Sequence, residues 1–130
     1  YEYDKKRENV VLKLHPKLAP YKAAIFPLIN DDKMIKIARE IYEKLRENWN
    51  VLYDDSGSVG RRYSRNDEIG TPIAITVDEG SVKKKTVTVR DRDTTKQVLV
   101  RIDELDDVVR KVVNGEDILK LGKIVETRVK

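Results

Sequence analysis

Two short strings in this chain gather side chains that could do chemistry: Arg61-Arg62-Tyr63-x-Arg65-x-Asp67-Glu68 and Arg90-Asp91-Arg92-Asp93-x-x-x-Gln97. Each mixes guanidinium donors with carboxylate acceptors over one or two helical turns, or along one strand and its turn. Such a mixture supplies donors for the ring acceptors of a nucleic-acid base and acceptors for its amino groups. A purely backbone-binding surface needs mainly positive charge. Alternating charge also describes an ordinary solvated, salt-bridged surface, and composition alone leaves both readings standing.

The charge is unevenly placed. Ser56 to Arg101 holds ten Lys or Arg against six Asp or Glu, while the rest of the chain holds 17 of each, so the whole formal excess of +4 lies in that stretch. It also contains Lys83-Lys84-Lys85. Other chemistries find little support. There is no cysteine, and His15 is the one histidine, which excludes a thiolate metal site and a disulfide framework and leaves little for zinc or Ser-His catalysis. Asp54 and Asp55 with Asp91 and Asp93 could hold Mg²⁺ for phosphoryl transfer, but neighbouring arginines make ion pairing the simpler use of the second pair. Gly57-Ser58-Val59-Gly60 is neither a G-x-G-x-x-G fingerprint nor followed by Lys-Ser or Lys-Thr, and reads as a flexible turn. His15 has no visible partner for general-base work, and Trp49 reads as a cover over the core rather than a stacking platform.

The elements that must position these groups follow from the apolar pattern. At 130 residues, with 39% hydrophobic and 38% charged residues, the chain suits one domain with a single core. No apolar run approaches the ~20 residues of a membrane-spanning helix. Tyr1-Glu2-Tyr3-Asp4 lacks a signal-peptide pattern, so an intracellular location is expected. A start at Tyr1 rather than Met suggests a piece of a longer polypeptide with a partner domain missing. Val10 to Leu14 is a short strand candidate stopped by His15-Pro16. Lys22 to Ile29 is a buried strand expected to end at Pro27, which donates no ladder bond.

Asn30-Asp31-Asp32 offers capping oxygens for a helix whose stripe is Met34, Ile37, Ala38, Ile41, Tyr42 and Leu45. Val51-Leu52-Tyr53 then makes a strand parallel to the first. The turn-rich Asp54 to Gly60 follows its carboxyl end, where open α/β sheets tend to place ligands. Arg61 to Glu68 reads as a short polar helix or ordered loop whose side chains face water. Pro72 to Val77, Thr86 to Val89 and Gln97 to Ile102 are three further strands, the first two antiparallel, with Asp91 to Thr95 as the turn before the last. Leu105, Val108, Val109, Val112 and Val113 form a second helical stripe ended by Asn114-Gly115. Asp117 to Leu121 adds one turn, and Lys123 to Lys130 reads as a frayed tail. The expected fold is α/β, a mixed five-stranded sheet flanked by helices.

Longer strings carry a family resemblance. Ala19-Pro20-Tyr21-Lys22, Phe26-Pro27-Leu28, Asp54-Asp55-Ser56-Gly57-Ser58-Val59-Gly60-Arg61-Arg62-Tyr63, Asp67-Glu68-Ile69-Gly70-Thr71-Pro72 and Val89-Arg90-Asp91-Arg92-Asp93-Thr94-x-Lys96-Gln97 resemble the C-terminal anticodon-binding domain of glycyl-tRNA synthetase, archaeal and eukaryotic type. The match runs from Val10 to Leu105; Lys83 to Lys85 fall where the family varies in length, and the tail after Gly115 carries no motif.

The resemblance implies a class II synthetase type of anticodon-binding domain over 20–122, preceded over 1–19 by a linker and short strand from a catalytic region. It implies a parent enzyme, in the cytoplasm, that joins glycine to tRNA using ATP and Mg²⁺ in its catalytic domain and works as a homodimer. This piece would carry no cofactor and no catalytic residue. Its task would be to read the cytosines of the glycine tRNA anticodon loop. Asp67, Glu68, Asp91 or Asp93 would then accept from cytosine N4, and Arg61, Arg62, Arg65, Arg90 or Arg92 would donate to O2, N3 or phosphate, with Gln97 beside them. Tyr63 would either stack on a splayed base or pack beneath the loop. The alternative within this resemblance is a nucleic-acid-binding accessory module, related to the accessory subunit of the mitochondrial DNA polymerase. It would bind single strands without preferring cytosine.

Overall fold

The structure, a computed structural model, describes residues 2–4, 9–11, 15–55 and 59–125. Two short strands, β1 (Glu2–Asp4) and β2 (Asn9–Val11), pair antiparallel as a separate ribbon. The expected first strand thus begins at Asn9, and its continuation over 12–14 lies outside the described residues. The remaining elements are β3 (Ala23–Pro27), α1 (Asp32–Leu45), β4 (Val51–Tyr53), α2 (Val59–Ile69), β5 (Ile73–Val77), α3 (Glu79–Lys84), β6 (Thr86–Asp91), β7 (Gln97–Arg101), α4 (Leu105–Val113) and β8 (Lys123–Val125).

These strands form one mixed sheet in the order β4-β3-β5-β6-β7-β8. β3 runs parallel to β4 and β5, and the pairs from β5 to β8 are antiparallel. The sheet therefore has six strands, not five. The sixth is β8, from the segment read as a tail. Its three residues pair along β7, with Leu99 opposite Lys123 and Gln97 opposite Val125. Residues 126–130 lie outside the described part. Pro27 ends β3 as expected. Pairing with β4 stops at Ile25, so Pro27 has no neighbour there to miss its N–H, while the Leu28 N–H donates to the Val77 carbonyl at 2.8 Å.

Alternation along the strands separates two faces. Ala23, Ile25, Ile73, Ile75, Val77, Val87, Val89, Val98 and Val100 face α1 and α4, meeting Met34, Ala38, Ile41 and Leu45 of one and Leu105, Val108, Val109 and Val112 of the other. Each fully buried side chain of this size contributes ~1.5–3 kcal/mol, so this face holds most of the driving force for folding. Trp49 packs against this core, and its indole N–H donates to Asp106 Oδ1 at 3.2 Å. The opposite face is different. Among the described residues, Ala24, Phe26 and Ala74, with the partly buried Leu28 and Leu52, make a small apolar patch there, under Tyr63 of α2. By the registers of β5 to β8, that face continues with Thr76, Thr86, Thr88, Arg90, Gln97, Leu99, Arg101, Lys123 and Val125. A polar sheet face with one helix laid across part of it frames the two charged strings.

Candidate nucleic-acid interface

Helix α2 carries the first string and lies across the patch. Its residues sort by helical spacing. Arg62, Tyr63, Asn66 and Asp67, at i, i+1, i+4 and i+5, point to the sheet and are buried; Arg61, Arg65 and Glu68, at i, i+4 and i+7, point outward and are exposed. The expectation that this segment faces water throughout is corrected: half of it is interior, and the interior half is polar.

Each buried polar side chain of α2 has a partner, as burial demands. Arg62 donates from Nη1 to the Pro27 carbonyl and lies over the Phe26 ring, 5.6 Å from its centroid. Tyr63 meets the same ring edge-on at 5.3 Å, and its hydroxyl shares a 2.9 Å hydrogen bond with Thr76 Oγ1. Its ring is thus packed under α2. Burial pushes the Tyr63 phenol above its ordinary pKa, against hydrogen bonds from Thr76 and Gln97 and the charge of Arg90, which pull it down. The carboxamide of Asn66 donates to the Arg62 carbonyl at 2.8 Å and accepts from Thr71 Oγ1 at 3.2 Å. Asn66 and Thr76 belong to the site although neither stands out in the sequence. The four-residue step from Arg62 to Asn66 is the one available sign.

The second string is stitched to α2 by two arginines. Arg90 donates from Nη1 and Nη2 to the two oxygens of Asp67, at 3.1 and 3.4 Å, with both side chains buried, and its guanidinium lies 4.5 Å from the Tyr63 ring centroid. Arg92 donates from Nη1 to the Gly70 carbonyl at 2.8 Å, and from Nε and Nη2 to Asp93 at 2.9 and 3.3 Å. Gly70, with φ of 80°, is the left-handed residue that ends α2 and aims that carbonyl. Asp91 Oδ2 accepts from the backbone and hydroxyl of Thr94 at 2.9 and 2.8 Å, holding the turn into β7. Gln97 is buried, with its amide 3.4 Å from the Tyr63 hydroxyl.

The residues expected at the site lie along α2 and beside its C-terminal end, on β6 and the turn into β7, and divide in two. Arg62, Tyr63, Asp67, Arg90, Arg92 and Gln97 are buried, with Tyr63 in contact with Arg90 and Gln97, and Arg90 with Asp67. Arg61, Arg65, Glu68 and Asp93 are exposed, and Asp91 is half-buried. Arg65 reaches Asp54 at 2.7 Å. The aspartates weighed for Mg²⁺ are engaged otherwise: Asp54 with Arg65, Asp55 with the Tyr53 hydroxyl, Asp91 with Thr94 and Asp93 with Arg92. Among the described residues, no three His, Asp or Glu side chains converge as a metal cage. The turn over 56–58, weighed as a phosphate loop, lies outside the described residues. Among those described, no helix is long and apolar enough to cross a membrane.

The architecture is similar to part of a prolyl-tRNA synthetase from Cryptosporidium parvum, solved as a complex with halofuginone and AMPPNP. The TM-score is 0.72 at 26% identity, over 79% of this chain and 22% of that one. The family model described as an anticodon binding domain matches residues 22–112. The chain belongs to the anticodon-binding domain family. Its curated relatives are glycine–tRNA ligases: one from Rhodopirellula baltica is 55% identical over 104 residues, 80% of this chain, and one from Methanocaldococcus jannaschii is 51% identical over 112 residues, 85% of this chain. A third, from Borreliella afzelii, is 45% identical over 115 residues, 87% of this chain. The chain spans only 19% to 26% of the length of these relatives. They favour the synthetase over the polymerase-accessory reading.

Proposed function

We propose that this domain is the anticodon-reading part of a glycine–tRNA ligase, binding the anticodon loop of glycine tRNA so that a catalytic domain of the same polypeptide can join glycine to it. ATP and Mg²⁺ belong to that catalytic domain. The parent enzyme is expected to be cytoplasmic and homodimeric. The observation that carries the reading is the placing of Arg61, Arg65 and Glu68 on one exposed face of α2, with Asp91 and Asp93 on the turn that Arg90 and Arg92 tie to that helix.

Unstacked cytosine presents an N4 amino donor and N3 and O2 acceptors. A carboxylate from Glu68, Asp91 or Asp93 matches the first, and a guanidinium from Arg61 or Arg65 matches the others or an adjoining phosphate. Arg62, Tyr63, Asp67, Arg90, Arg92 and Gln97 hold the reading residues in place. A buried, bidentate Asp67–Arg90 pair fixes the end of α2 against β6, so the outward side chains need not be ordered anew on binding.

The test is binding of a glycine anticodon stem-loop to the chain and to Arg61→Ala/Arg65→Ala across a salt series. The double variant is expected to bind more weakly, with its salt slope reduced by ~0.7 for each phosphate that is no longer neutralised. Equal affinity and slope in both proteins contradict the assignment of the α2 face.

A further inference from the structure

Among the described residues, none covers the polar sheet face beside α2, and a cavity of about 370 Å³ opens there. Its floor is the Tyr63 hydroxyl, Thr76, Thr88 and Gln97, its apolar walls are Leu28, Leu99 and Val125, and Lys83 and Lys84 stand at its edge with Asp78 and Glu79. This volume is in the range of small-molecule sites, and the lining has their usual composition of apolar walls with a few polar groups.

Two observations point to an occupant. Gln97 is only 5% exposed, yet its carboxamide makes one long hydrogen bond, 3.4 Å to the Tyr63 hydroxyl. The other end of the amide has no partner among the described residues, although a buried polar group left unmade is costly. Because a hydroxyl can donate or accept, either end of the amide can turn to Tyr63, leaving an N–H or a carbonyl for the cavity. Second, Lys83 and Lys84 are exposed in the last turn of α3, and neither pairs with a carboxylate among the described residues. The nearby Asp78 is occupied in capping α3, accepting the Ser81 N–H at 3.3 Å.

We propose that this cavity is a second nucleotide site, which takes one splayed nucleotide of the bound single-stranded RNA, with its base between Leu28 and Leu99, one base edge on Gln97, and its phosphates at Lys83 and Lys84. The proposal rests on the RNA-binding reading above, gives Gln97 of the second string a contact of its own, and extends the reading to Leu28, Lys83, Lys84 and Leu99, outside the two charged strings. A single free amide end reads one group on the base, so the site contributes affinity with little base preference. The ammonium groups contribute salt-dependent affinity that is independent of sequence.

The two halves of the site have different signatures against the same anticodon stem-loop. Lys83→Ala/Lys84→Ala is expected to weaken binding and to lower the salt slope by ~1.4, two phosphates at ~0.7 each, with Lys83→Arg/Lys84→Arg restoring the slope. Gln97→Leu, near-isosteric, is expected to weaken binding about three- to tenfold at fixed salt with the slope unchanged. The lysines are on the surface, so their variant decides the matter even should Gln97→Leu fail to fold. Parental affinity and slope in the lysine variant overturn the second site; if Arg61→Ala/Arg65→Ala still lowers affinity, the anticodon-reading assignment survives that result. No measurable binding by the parent chain overturns both.

Discussion

Asp67→Ala separates positioning from reading. Asp67 is 2% and Arg90 7% exposed, and the two share a bidentate contact. Removing the carboxylate leaves a guanidinium buried without its counter-charge, a destabilisation of ~3–5 kcal/mol for a pair of this kind. The Tyr63 ring, 4.5 Å from that guanidinium, faces it in parent and variant alike and so leaves the difference unchanged. A destabilisation of at least about 3 kcal/mol is expected, which for a domain of this size lowers Tm by roughly 10 °C or more. Replacing both partners, Asp67→Leu/Arg90→Met, removes the orphaned charge and is expected to recover most of that stability.

The assay is urea unfolding followed by circular dichroism on the parent, the single variant and the double variant, with stem-loop affinity measured where each is folded. The double variant is expected to bind RNA close to the parent, because both side chains are buried. A single variant within ~0.5 kcal/mol of the parent, or a double variant no more stable than the single, would refute the positioning argument. A stable double variant with markedly weakened RNA binding would instead make Asp67 and Arg90 readers.

Two further outcomes bear on the frame around the site. Burial raises the Tyr63 pKa, so above about pH 10 the unfolded chain releases that proton while the native state keeps it. The unfolded state then binds fewer protons, and stability falls as pH rises from the unfolded pKa towards the folded one. Tyr63→Phe should flatten that part of the profile in urea midpoints measured from about pH 9 upward, and an unchanged slope contradicts it. Gly122→Ala would place a Cβ 2.5 Å from the Leu99 carbonyl oxygen, against backbone that cannot swing aside. It should cost about 1–3 kcal/mol and remove hydrogen-exchange protection between β7 and β8; undiminished protection would show that β8 is not held there.

The apolar pattern carried most of the architecture. Stripes such as Met34-Ala38-Ile41-Leu45 and Leu105-Val108-Val109-Val112 announce helices because their buried faces are apolar, and β-branched alternation announces β5, β6 and β7. β8 escaped because three residues paired on one side are too few to show alternation. α3 escaped for a similar reason: six residues give no stripe, and its sign is only the Asp78-x-x-Ser81 capping box. At the site, residue types and their gathering were legible, but which of them face solvent was not. The buried stripe of α2 is Arg62, Tyr63, Asn66 and Asp67, and a hydrophobic pattern cannot register an interior made of polar groups that satisfy one another. Only the fold shows that Arg90 and Asp67 meet and that Arg61, Arg65 and Glu68 are left outward.

The central claim is that this domain discriminates a base. Its most direct test is binding of the chain to a glycine anticodon stem-loop and to the same loop with the second anticodon cytosine changed to uracil, at one fixed salt concentration. Removing the N4 donor and exchanging the N3 acceptor for a donor should cost ~1–3 kcal/mol, a preference of roughly 5- to 150-fold for cytosine. Equal affinity for the two loops would mean that the domain contributes backbone attraction alone, and would contradict the account.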